Sequence, residues 1–187
     1  TSVDLGGRRI IKKKTVHRYG RGEHTNGGTA MMDDAVAAGT REVIENHDFM
    51  SWLGMELVEF EEGRAVLSIP HDEKLTNIVE GSRGTIHGGV TATLVDTASG
   101  FALRTTFDDP LEPALTTTDL DVTYLRPARS DLRAVAEVVR AGGSMGYTDV
   151  KVYGTAPDGE QKAVVKGSAS YRLFRDRAGR SETDGDR

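Results

Sequence analysis

The residues that could do chemistry in this chain gather between Gly84 and Phe101. There His87-Gly88-Gly89 leads into a run, Val90 to Ala102, whose one charged side chain is Asp96. At about 100° per residue, Val90, Leu94, Ala98, Phe101 and Ala102 fall on one stripe of a helix. Asp96 falls opposite that stripe, among Ala92, Ser99 and Gly100. An acid among small residues leaves room for close approach by a backbone or a ligand. Gly88 and Gly89, lacking side chains, let a reactant reach amides that a helix start leaves unpaired, where the dipole favours negative charge. Taken alone, the stretch is equally a buried helix with a glycine turn and an incidental acid.

A second constellation, Gly142-Gly143-Ser144-Met145-Gly146, matches the G-x-S-x-G pattern. That pattern works on a strand–turn–helix elbow with its acid and histidine downstream. Here Tyr147 to Tyr153 reads as another strand, and His87 is the last histidine of the chain. The segment therefore reads as a turn between strands, whose amides could meet a phosphate. His47-Asp48 and His71-Asp72-Glu73 lack the spacing of a metal site, so no metal is expected.

The elements that must position these residues follow from period and punctuation. Residues 1–30 are glycine-rich and basic without an apolar period, and read as a flexible arm. A helix within 31–48 is capped by Asp33 or Asp34 and carries Val36, Thr40, Val43, Ile44 and His47 on one face, with Gly39 weakening it. Phe49, Met50, Trp52 and Leu53 form a cluster expected to seal this helix onto the core. Two strands joined at Glu61-Glu62-Gly63 come next, the second alternating Ala65, Leu67 and Ile69 with Arg64, Val66 and Ser68 before Pro70 ends it. A polar loop from His71 to Ile86 delivers the chain to the central helix. Four further strands are expected near 114–126, 131–141, 146–155 and 161–174, with Ala156-Pro157-Asp158-Gly159 as a hairpin turn. Consecutive hairpins imply an antiparallel sheet. One long helix against about six strands gives an α+β domain, residues 49–174, with the sheet curled around the helix. Residues 175–187 are charged and apolar-poor, and read as a disordered tail.

Composition bounds the rest. The chain has 187 residues, 37% apolar and 28% charged, which suits one domain of an ordinary soluble protein. No apolar run approaches a membrane span, and the start lacks a hydrophobic signal segment. The chain has no cysteine, which removes disulfides, thiolate metal sites and a cysteine nucleophile and fits a cytoplasmic setting. Residues 1–24 hold seven Lys and Arg against Asp4 and Glu23, a net of +5, leaving −10 on the remainder. A body that acidic is not expected to bind nucleic acid, and a polyanionic ligand would need a local basic cluster.

HGG followed by an uncharged helix, with an acid nine residues after the histidine, resembles the hotdog-fold acyl-CoA thioesterases, in the branch of the phenylacetyl-CoA and 4-hydroxybenzoyl-CoA enzymes. The similarity runs from about Leu53 to Phe174, and Tyr124-Leu125-Arg126-Pro127-Ala128 matches that family's Tyr-Leu-x-Pro-Ala segment. The resemblance implies a hotdog fold and hydrolysis of a short- or medium-chain or aromatic acyl-CoA, with coenzyme A as part of the substrate and no separate cofactor. It assigns Asp96 as nucleophile or as the base activating water, Gly88 N–H as oxyanion donor, and His87 as the group orienting the site. It also points to Thr117 and Asn77. Strict alternation puts Thr117 on the face opposite Leu120 and Val122, so a bulge is required to bring it in. The family's amide six residues before the histidine is here Gly81, and Asn77, four residues earlier, reaches the site only through a longer loop. Gly89, Arg126, Pro127, Arg129, Gly143 and Ser144 are the expected coenzyme A contacts. The family builds each site from two chains, so a homodimer or dimer of dimers is implied. Gly88 and Asp96 lie about 12 Å apart along one helix, which independently favours assembly across an interface. A non-catalytic acyl-CoA sensor is the alternative. A hotdog dehydratase is a lesser one, since its His-Phe-Pro entrance is absent.

Overall fold

The computed structural model describes residues 31–175. The expected arm at 1–30 lies outside them, as does all of the expected tail except Arg175. The first helix, α1 (Asp34–Glu45), is capped by Asp33, whose carboxylate accepts from Ala35 N–H at 2.8 Å. It buries Thr40 and Ile44. Gly39 has a packing reason to be there, because a Cβ at that position would stand 3.0 Å from Leu111. A short helix that the sequence did not suggest, α2 (Asp48–Leu53), follows and stops at Gly54 in the left-handed region (φ 68°). Of the expected sealing cluster, Leu53 is buried and Met50 packs against the core. Phe49 and Trp52 correct that expectation: both stay half exposed, with the Lys74 ammonium 5.3 Å from the Trp52 ring.

Six strands follow the expected order: β1 (Glu56–Glu61), β2 (Arg64–Ile69), β3 (Leu115–Tyr124), β4 (Leu132–Ala141), β5 (Met145–Thr155) and β6 (Gln161–Leu173). They form one antiparallel sheet in the order β1-β2-β4-β5-β6-β3. The β1–β2 turn places Gly63 at φ 74°, where a glycine is favoured. Glu59 on β1 ties the next two strands together through Arg64 and Arg133, and the hydrogen bond from Arg64 holds its carboxyl below the usual range.

The sheet curls around α3 (Gly88–Arg104). Because strands press on the helix from several sides, burial extends well beyond the single stripe read from the sequence. Val95, Ser99 and Leu103 are covered as completely as Leu94 and Ala98, and Gly100 is buried with them. Close approach depends on missing side chains in the sheet. A Cβ at Gly167 would meet Val95 at 2.6 Å, and one at Gly146 would meet Leu103 at 2.5 Å. The core joins this helix to Leu67, Ile69, Leu132, Val150, Val152 and Val165. At one end of the sheet, Met31 and Met32 bridge to β1. At the other, the outer edge of β3 is unpaired among the described residues.

Candidate active site

The start of α3 is built by an imidazole cap. His87 is extended (φ −60°, ψ 135°), and its Nδ1 accepts from Gly89 N–H at 2.9 Å. An accepting Nδ1 leaves the hydrogen of a neutral ring on Nε2. The cap uses the Gly89 amide, so of the two glycines expected to offer amides only Gly88 still does among the described residues. Tyr124, from the end of β3, packs on Gly88. Its hydroxyl donates to the Gly88 carbonyl at 2.9 Å, and a Cβ at residue 88 would stand 3.1 Å from that hydroxyl.

Gly88 opens onto a groove of about 400 Å³ lined also by Ser82, Thr85, Leu125 and the segment Arg126 to Arg129. Arg126, Pro127 and Arg129, expected from the sequence to meet coenzyme A, are thus brought beside Gly88. The guanidinium of Arg126 donates to Ala163 O at 2.7 Å and that of Arg129 to Arg83 O at 2.8 Å. Among the described residues neither Arg83, Arg126 nor Arg129 has an ion-pair partner, so positive charge gathers here on an otherwise acidic body.

Asp96 stands two turns further along α3, on the side facing β3 and β6. Thr117 Oγ1 donates to its Oδ1 at 2.8 Å. The bulge that this contact requires is present: pairing between β3 and β6 shifts between Thr117 and Asp119, so Thr117 (opposite Tyr171) and Leu120 (opposite Ala169) both face the helix. The Tyr171 hydroxyl lies 2.7 Å from Asp96 Oδ1 and 2.6 Å from the Asp96 carbonyl oxygen. Burial above all pushes the Tyr171 phenol far above its ordinary range, so it stays a donor.

Two groups of expected residues are not brought to this place within one chain. Asn77 donates its side-chain amide to Thr85, at 2.9 Å to Oγ1 and 3.2 Å to the carbonyl, closing the loop beside the groove without a hydrogen bond to Gly88. Gly143 and Ser144 lie at the opposite end of α3. There the Gly142 carbonyl accepts from Arg175, which also holds Thr106 just beyond the helix. No helix follows Gly146, as the strand reading required.

Residues 83–158 match the family model described as Thioesterase superfamily. A Halobacterium salinarum protein named provisionally as an esterase is 43% identical over 146 residues, covering 77% of this chain and 95% of that protein. Human acyl-coenzyme A thioesterase 13 is 33% identical over 119 residues, covering 63% of this chain and 78% of that protein. The chain belongs to the thioesterase superfamily. A crystal structure of a thioesterase family protein from Silicibacter pomeroyi superposes with a TM-score of 0.66 at 27% identity, covering 75% of this chain and 98% of that one. The sheet wrapped on one long helix is accordingly the hotdog fold, and the protein is a thioester hydrolase. Membership in the thioesterase superfamily carries the hydrolase reading over the sensor and the dehydratase.

Tyr171 is a residue at this thioesterase site that the sequence analysis did not single out. The signal was available in part. A tyrosine in a buried row must find a partner for its hydroxyl, and Asp96 is the nearby acid.

Proposed function

We propose that the protein hydrolyses short- or medium-chain or aromatic acyl-CoA thioesters to the free acid and coenzyme A. Asp96 is the nucleophile or the base that activates water, and Gly88 N–H receives the negative charge that builds on the thioester oxygen. The observation carrying this reading is the placement on one helix of an uncommitted starting amide, opening onto an arginine-lined groove, and a carboxylate with one oxygen free. Human acyl-coenzyme A thioesterase 13 among the relatives supports the acyl-CoA substrate.

Separation along the helix supports a second proposal. About 12 Å between Gly88 and Asp96 is too far for both to touch one carbonyl group, so the acid of one chain works with the amide of a neighbour. The bare edge of β3, with Leu120 and Tyr124 only partly covered, is the surface on which a homodimer would form. Absence of cysteine suits a reducing, cytoplasmic setting, and no helix among the described residues is long and apolar enough to cross a membrane.

Thiol release measured over a panel of acyl-CoAs tests the reading. Asp96→Asn should lower kcat by on the order of 10² or more, with the fold retained because the asparagine carbonyl accepts the same two hydrogen bonds. Near wild-type turnover in that variant would remove Asp96 from the role, and no free thiol from the wild type on any ester would overturn hydrolysis of acyl-CoA.

A further inference from the structure

Tyr171 touches Asp96 more specifically than packing demands. Its hydroxyl reaches Oδ1 and the carbonyl oxygen of the same residue, while Thr117 donates to that same Oδ1. Among the described residues no donor reaches Oδ2. We propose that Tyr171 is a positioning residue for hydrolysis: together with Thr117 it occupies Asp96 Oδ1, fixes the carboxylate on the face of α3, and leaves Oδ2 as the oxygen that attacks or takes the proton from water. The proposal rests on the role given to Asp96 above and holds for either mechanism.

Three features of the chain converge on this arrangement. Thr117 and Tyr171 are register partners across β3 and β6, so the bulge after Thr117 sets two hydroxyls side by side over one carboxylate. Gly100 supplies the room, since a Cβ there would stand 3.3 Å from the Tyr171 oxygen and only 3.6 Å and beyond from its ring carbons. Tyr171 is buried, so its donor is held in one place and not shared with solvent. A carboxylate on a partly open helix face would otherwise sample several rotamers. The Thr117 hydrogen on Oδ1, and the Tyr171 hydrogen shared between Oδ1 and the Asp96 carbonyl oxygen, remove that freedom and spare the other oxygen's lone pairs for reaction.

The test is steady-state thiol release with an acyl-CoA that the wild type hydrolyses, using full-length protein. Tyr171→Phe should lower kcat by about ten- to a hundredfold, the loss of one hydrogen bond to a charged group, with KM within about twofold. In an Asp96→Asn background the same change should cost less than about twofold, because the oxygen it orients no longer reacts. Gly100→Ala should lower kcat beside the native tyrosine and be tolerated beside phenylalanine, with a melting temperature no lower than that of Tyr171→Phe alone. Unchanged kcat in Tyr171→Phe, or an equal loss with and without Asp96, overturns the positioning role while leaving Asp96 catalytic. An Asp96→Asn enzyme that retains turnover overturns the reading of the site itself, and this inference with it.

Discussion

Gly88 is the first residue of α3, and that position makes its amide unusually separable from the fold. Proline is well tolerated at the first helical position, and His87 already has the extended backbone that a following proline requires. Gly88→Pro therefore deletes one N–H with the helix kept, while Tyr124, more than half exposed, has space to give way. The expected outcome is a fall in kcat of about 10²–10³, the usual effect of losing an oxyanion donor. It is measured by thiol release beside a far-ultraviolet spectrum showing unchanged helix. At this scale the sequence was readable where spacing alone decides, as for Asp96 and the His87-Gly88 entrance. Thr117 was readable only conditionally, because alternation assigns faces but a bulge, which depends on pairing with β6, reverses them. Asn77 and Gly89 show what a motif does not reveal: their polar groups have local partners within the chain, Thr85 and His87.

Among the elements, the contact between α3 and the sheet is set by glycines. Gly167→Ala would drive a methyl to 2.6 Å from Val95 and 3.0 Å from the backbone oxygen of Asp121, and the latter cannot swing aside. Urea denaturation should show a loss of about 1–3 kcal/mol, with an unchanged slope. Gly143→Ala, which meets nothing within 4 Å, is the matched control and should stay within about 0.5 kcal/mol. Strand limits were legible to within about two residues because period-two patterning is bounded by Gly63, Pro70 and the Pro157–Gly159 turn, each a strong local signal. The helix α2 was not, since six residues show no period. Its exposed Phe49 and Trp52 looked like core because hydrophobicity alone does not say which face a short turn presents.

For the whole molecule, the test of a shared site is to mix two dead enzymes. Chains carrying Asp96→Asn and chains carrying Gly88→Pro, unfolded together and refolded at equal amounts, should recover about a quarter of wild-type activity, since half the dimers are hybrids and each hybrid keeps one intact site. No recovery, with mixed dimers demonstrated by mass, would place acid and amide within a single chain. The inner row of β3 carries both Tyr124 and Thr117. It meets the Gly88 carbonyl through Tyr124 and the Asp96 carboxylate through Thr117, so one edge strand touches both the entrance and the middle of the helix. In the homodimer proposed above, a partner pairing with that edge would bear on both residues at once. Self-association would then act as a dial on turnover, and dilution as its off position.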